Sequence, residues 1–170
     1  MTLKRYLFFA FILLSQATSL HSQDYGNIEF IENKGQWDKK IKFKGDVSAG
    51  AFFIRSGGFT ILQHHPDDLL AVEKDFHGHS EEVASGKGHK KLVLRSHAWN
   101  VDFLGSNPHI EIIPDKPIET YNNYFIGNDP TQWAANCRIY QAITLKNVYP
   151  NIDVRYYTHN GTLKYDILVK

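Results

Sequence analysis

A single cysteine stands in the 170 residues, and that scarcity is the first constraint. Cys137 has no partner in the chain, so no intrachain disulfide can staple the fold, and an exported domain of this kind depends on its hydrophobic core. An excess of charge of one sign is missing too, with 19 basic against 18 acidic residues. No basic field exists to draw in a phosphate backbone, which argues against nucleic acid as a partner. Long apolar runs are absent: the longest near the start, Tyr6–Leu14, is nine residues, far below the roughly 20 a spanning helix needs. No serine lies in a nucleophile elbow and no glycine-rich phosphate loop follows a strand. Helical periodicity is nearly absent after Ile28, and there is no internal repeat.

What is present begins with a leader. Lys4 and Arg5 precede the run Tyr6–Leu14, and small polar residues follow to Ser22, the layout of a secretory signal peptide. Cleavage fits after Ser22 or after Ser19. Removing residues 1–22 from the 170 leaves 148, enough for one domain with its own core. That part holds 17 basic and 18 acidic residues, a formal charge of −1. It is expected to work outside the cytoplasm, with no membrane span after cleavage.

The body of the chain alternates with period two, and 14% of all residues are aromatic, a composition that suits half-buried strands. Ile41 and Phe43 between lysines mark a one-faced strand. Residues 51–63 read as a hairpin about Gly57-Gly58, with Ile54 opposite Ile61 and Phe53 opposite Leu62. In Leu92–Leu104 the apolar parity changes, which predicts a bulge or break near Ser96–Ala98. Ile110 and Ile112 form a short strand closed by Pro114 and Pro117. Tyr121–Ile126 and Ile139–Val148 are further strands. Between them Asp129 caps a helical turn that starts at Pro130 and ends at Trp133. Asn160-Gly161 predicts a two-residue hairpin with Ile152 facing Val169, Val154 facing Ile167 and Tyr156 facing Tyr165 on one side. On the other side Arg155 meets Asp166, a charge pair worth about 0.2–1 kcal/mol. The exception to the β pattern is His64–Lys91, rich in charge, glycine and histidine. Within it Leu69, Val72 and Phe76 share one helical face, so Asp67–Phe76 can form a short helix. The fold class expected is all-β, an antiparallel sandwich-like single domain over residues 23–170 with one long polar loop. The terminal strand Leu163–Val169 has no turn or polar tail after it, which suggests the front piece of a longer protein.

Several segments form a recognisable set: Phe30-Ile31-Glu32-Asn33-Lys34-Gly35-Gln36-Trp37, His97-Ala98 with Val101-Asp102-Phe103-Leu104-Gly105, and Asn107-Pro108. The run Tyr121-Asn122-Asn123-Tyr124-Phe125-Ile126-Gly127-Asn128-Asp129-Pro130 with Trp133 belongs with them, as do Tyr149-Pro150-Asn151-Ile152-Asp153 and Leu163-Lys164-Tyr165-Asp166. Together they resemble a domain of unknown function found at the front of large secreted proteins of gliding Gram-negative bacteria. The resemblance covers residues 28–170. It implies a β-rich module, followed by propeller-type repeats, immunoglobulin-like or PKD-like domains, and a C-terminal sorting domain for type IX secretion. It also implies an extracellular or cell-surface location. It carries no established catalytic residues, so none transfers to this chain.

Candidate chemistry is sparse. His64, His65, His77, His79, His89 and His97, with Asp67 and Asp68, are ligand types suited to zinc, copper or nickel, without a spacing that defines a site. A solvated loop whose histidines confer solubility is the favoured explanation, since composition alone is weak evidence for a metal. Glu29, Glu32, Asp102, Asp115, Glu119, Asp153 and Asp166 are available as carboxylates, yet a glycoside hydrolase needs two of them about 5–9.5 Å apart. Nothing around Cys137 resembles a cysteine-protease signature, and a small buried residue beside the Ile139 strand is its expected role. Asn160-Gly161-Thr162 matches the glycosylation pattern, but turn geometry already explains Asn and Gly. The aromatics Tyr121, Tyr124, Phe125, Trp133, Tyr140, Tyr149, Tyr156, Tyr157 and Tyr165 either line a sugar- or peptide-binding surface or fill the core. The expectation is therefore a non-catalytic extracellular structural or adhesion module, with no catalytic, cofactor or metal residues assigned. Its partners are other domains of the same longer chain, and surface glycans or proteins. The alternative is a secreted carbohydrate-active or other hydrolase domain.

Overall fold

A computed structural model of the chain describes residues 27–77 and 92–170. The expected leader, the cleavage positions, His79 and His89 lie outside the described residues. Among the described residues nine strands form one antiparallel sheet: β1 (Phe30–Glu32), β2 (Ile41–Val47), β3 (Gly50–Arg55), β4 (Gly58–His64), β5 (Ser96–Asp102), β6 (Glu111–Tyr124), β7 (Ala134–Tyr149), β8 (Ile152–His159) and β9 (Thr162–Val169). One helix, α1 (Pro66–His77), and a 3-10 turn, Pro130–Gln132, complete the set. The all-β antiparallel class is as the alternation indicated. The short helix expected at Asp67–Phe76 is present as α1, one residue longer at each end.

The long strand β7 organises the sheet. Tyr140 pairs with Pro117 on one side and with Phe30 on the other, and Ile143 pairs with Pro114 and with Tyr156. Strand β6 therefore follows one edge of β7, while β1 and β8 share the opposite edge and the sheet forks between them. One arm runs β1-β2-β3-β4-β5 and the other β8-β9. The arms face each other across the core: Phe52 and Phe59 of the first lie 5.3 and 6.2 Å from the Tyr156 ring of the second. Phe30, Ile54, Ile143, Leu145, Val148 and Tyr156 are almost wholly buried there, each contributing about 1.5–3 kcal/mol from removal of apolar area from water. Tyr156 carries its hydroxyl inside without a partner among the described residues, and burial drives its pKa well above the usual phenol value.

A second, smaller cluster lies beside β1 and β7, formed by Ile31, Ala134, Cys137 and Ile139. Its lid is the loop after β1, which gives the segment Asn33–Trp37 a structural meaning. Asn33 Nδ2 donates to the carbonyls of Trp37, Asp38 and Ile41, and its Oδ1 accepts from the Gly35 and Trp37 amides. The Trp37 ring so placed meets Tyr124 edge to face at 5.3 Å, and the Lys44 ammonium sits 5.6 Å from its centroid.

The hairpin ending in Asn160-Gly161 has the expected register throughout, from Ile152–Val169 to His159–Thr162. Asn160 (φ 50°) and Gly161 (φ 70°) both take the left-handed conformation this turn demands. Asp129 caps the 3-10 turn as anticipated, Ile41 and Phe43 lie in β2, and the parity break falls where β5 starts at Ser96.

Two expectations are corrected. The first concerns the earlier hairpin, which turns at Ser56-Gly57, so Ile54 faces Phe59, Phe53 faces Thr60 and Ile61 faces Phe52. Gly58 is already in the strand, where a Cβ would run into the Val101 carbonyl of β5. The glycine pair thus serves two needs, one residue for the turn and one for the close approach of a neighbouring strand. The second concerns Pro114 and Pro117, which do not close the strand at Ile110–Ile112. Strand β6 passes through both to Tyr124. Among the described residues it pairs with β7 alone, and an outer strand tolerates a missing N–H. The register shifts after Pro117, and Lys116 takes a positive φ of 54°.

Candidate binding surface

The tip of the β6–β7 hairpin gathers apolar side chains in water. Tyr124, the last residue of β6, turns inward onto Trp37 and anchors the tip. Beyond it Phe125 and Ile126 are 60% and 75% exposed and Trp133 is 42% exposed, with Tyr121 also open to solvent. The backbone beneath them is held firmly. Asp129 Oδ1 accepts from the Thr131 hydroxyl at 2.7 Å and the Thr131 amide at 3.0 Å, bonds that hold its pKa below the usual carboxylate value. The Trp133 amide donates to the Pro130 carbonyl. Its indole Nε1 donates to Gly127 O at 3.3 Å, and its ring meets Phe125 edge to face at 5.9 Å. The result is a pre-ordered aromatic platform flanked by Asn128 and Asp129. Clustered exposed apolar groups of this kind mark interaction sites, and fixed aromatic planes suit stacking on sugar or peptide surfaces.

The long aromatic set divides. Tyr140, Tyr149 and Tyr156 pack into the core, while Tyr121, Phe125, Trp133 and Tyr165 face solvent. Tyr157 is half-buried on the opposite side of β8, with its hydroxyl 3.3 Å from Asp166. Burial and then the Asp166 charge raise its pKa. It borders a polar cleft of about 350 Å³ together with Lys116, Gln141, Arg155 and Asp166. Arg155 lies opposite Asp166 in register, as expected, but its guanidinium does not pair with that carboxylate. It reaches Asp115 of β6 at 2.6 Å and Thr144 at 3.1 Å, and this contact holds Asp115 below the usual carboxylate range.

The histidines come together only in part. His64 Nδ1 and Ser96 Oγ are 2.7 Å apart across the β4–β5 ladder, His65 is 4.0 Å from Asp67, and His97 stacks on Trp99 at 5.6 Å. Asp68 does not approach as a ligand; Arg95 clamps it with two side-chain bonds of 2.8 Å, which pull its pKa down to far below the ordinary value. Among the described residues no group of three ligating side chains is close enough to hold a metal ion.

The carboxylates are dispersed among separate partners. Glu32 meets Lys34, Asp102 meets Arg55, Asp115 meets Arg155, and Asp153 meets Lys146 and Lys170. Cys137 is fully buried in the smaller cluster, and burial raises its pKa, the reverse of what a nucleophile requires. Among the described residues no helix is long and apolar enough to cross a membrane.

Sequence reasoning did not single out the platform from among the aromatics. A readable signal existed: Phe125-Ile126 stands directly before Gly127-Asn128-Asp129-Pro130, an apolar pair in a turn that cannot bury it. These features define an all-β domain with an exposed aromatic tip. No curated protein and no solved structure matches the chain. Residues 30–170 match the family described as a domain of unknown function (DUF7948), and the chain belongs to that family.

Proposed function

We propose that the protein is a non-catalytic, extracellular or cell-surface module of a larger secreted protein, with the β6–β7 tip as its recognition surface. The observation that carries this reading is the fixed platform of Phe125, Ile126 and Trp133 held in water by the Asp129 cap. Exposed apolar side chains grouped in one place, rather than scattered singly, favour an interaction surface. The leader at Met1–Ser22 supports export. The motif resemblance supports a gliding-bacterial setting with type IX secretion and with propeller, PKD-like or immunoglobulin-like partners downstream. Against a hydrolase, the four aspartates with shifted pKa values among the described residues (Asp68, Asp115, Asp129 and Asp153) are all held low. A general acid needs the opposite shift.

The test is a binding screen of the protein lacking residues 1–22 against immobilised cellulose, chitin, xylan, lipopolysaccharide and matrix proteins, run beside an assay of sugar and peptide release. Saturable binding without turnover is the expected result. Release of product from any substrate overturns the proposal in favour of the hydrolase reading.

A further inference from the structure

Strand β9, an outer strand bonded to β8, is open in a way that β6, the outer strand bonded to β7, is not. Strand β6 carries Pro114 and Pro117, a positive φ at Lys116 and two register shifts, features that discourage pairing with another chain. Strand β9 has none of these. Among the described residues it pairs with β8 alone, runs eight residues without a bulge, and contains no proline. Tyr165, Ile167 and Val169 are 62%, 61% and 76% exposed, although they lie on the same side as Tyr156 and Val154, which are buried. An uninterrupted apolar strand edge is a template for a further strand.

The hydrogen-bonding phase of that edge follows from the hairpin. Around a two-residue turn the flanking pair, His159–Thr162, exchanges both backbone bonds. Even-numbered residues of β9 therefore bond toward β8, and the Lys170 amide continues the phase by donating to Asn151 O at 3.0 Å. The free N–H and C=O groups belong to Leu163, Tyr165, Ile167 and Val169.

We infer that this edge pairs with β9 of a second copy of the chain, antiparallel about a two-fold axis through Tyr165. Charge selects the occupant and the register. With Tyr165 opposite its own counterpart, Lys164 faces Asp166 of the other copy, and Asp166 faces Lys164, both at pairs without backbone bonds, where side chains approach most closely. Leu163 then meets Ile167 on the apolar face in both directions. A shift one step either way puts Lys164 opposite Lys164 or Asp166 opposite Asp166, and a shift one step further on puts Lys164 opposite Lys170. One register thus satisfies the backbone edge, the apolar face and both charges, as an isologous contact must.

Sedimentation velocity on the purified protein from 1 to 100 µM tests this, with Lys164→Asp, Asp166→Lys and the double variant Lys164→Asp/Asp166→Lys. The expected result is a concentration-dependent dimer. Each single variant weakens it by about 10-fold or more, because two like-charge contacts replace two attractive ones. The double variant restores it. Circular dichroism of each variant shows whether the fold is retained, and Lys39→Asp serves as a charge control with dimerisation unchanged. A monomer at 100 µM overturns the inference and leaves β9 to a different polypeptide. Single variants that dimerise as well as the parent, or a double variant that fails to recover, overturn the register.

Discussion

Replacing Asp153 by asparagine tests how the turn between β7 and β8 is held. The Asp153 side chain is 1% exposed, yet it carries charge inside the fold. Its Oδ1 accepts from the Asn147 amide at 2.8 Å, its Oδ2 from Lys146 Nζ at 2.8 Å, and Lys170 Nζ lies 3.1 Å away. Asn147 has a positive φ of 50° and sits where the β7–β8 register shifts between Leu145 and Tyr149. The carboxylate therefore pins the bulge that brings Val148 into the core. The Asn147 amide bond and then the lysine bonds hold its pKa at about 2, down from 3.8. A depressed carboxylate pKa adds stability above the unfolded value, and that stability is lost as pH falls through the folded value. The window is thus about pH 4 to pH 2. Hydrogen bonds to a charged group contribute about 1.5–3 kcal/mol, and the lysine heads, one-third to one-half exposed, put the asparagine variant near the lower end of that range. Asp153→Ala, which strands the Asn147 amide as well, costs about 2–4 kcal/mol. Urea unfolding followed by tryptophan fluorescence at pH 7, 5, 4 and 3 measures both. The gap between parent and Asp153→Asn is constant from pH 7 to pH 5 and narrows below pH 4. A gap under about 0.5 kcal/mol at pH 7, or one that does not narrow in acid, refutes the reasoning.

Other consequences are as direct. Tyr156→Phe removes a buried hydroxyl that has no partner among the described residues, so it leaves stability unchanged or raises it by about 1 kcal/mol, whereas Tyr156→Ala lowers it by about 3–5 kcal/mol; thermal unfolding separates the two. Asn33→Ala frees three carbonyls and two amides of the Trp37 loop and costs about 2–3 kcal/mol, with a change in tryptophan emission as Trp37 leaves Tyr124. Cys137, buried and raised in pKa, reacts with a thiol reagent in the folded protein only at the rate of opening. Full labelling within seconds at pH 8 contradicts its burial.

The hairpin at Asn160-Gly161 was legible because turn chemistry, apolar alternation and register agreed within one short segment. The turn at Ser56-Gly57 was not. Moving the turn by one residue shifts the pairing by two, every side chain keeps its face, and alternation alone cannot tell the registers apart. The prolines of β6 misled because their tolerance depends on a strand having a free edge, a property of the whole sheet. Arg155 found Asp115 rather than Asp166 for a similar reason, since β6 approaches β8 only by way of β7. The exposure of Tyr165, Ile167 and Val169 was equally hidden: the alternation that buries Tyr156 continues into β9, and only the reach of the opposite arm decides where cover ends. At the hairpin tip, the Asp129 cap was readable from Asp-Pro chemistry, but the edge-to-face contact of Phe125 with Trp133 needed the hairpin to close first.

Recognition through the aromatic tip is tested most directly by biolayer interferometry of the parent and of the variant Phe125→Ser/Trp133→Ala against the surface bound most tightly in the screen, with thermal unfolding of both. The expected result is at least a 10-fold loss of affinity, consistent with roughly 1–3 kcal/mol for losing aromatic anchors, at an unfolding temperature within a few degrees of the parent. Equal affinity in the two proteins contradicts it.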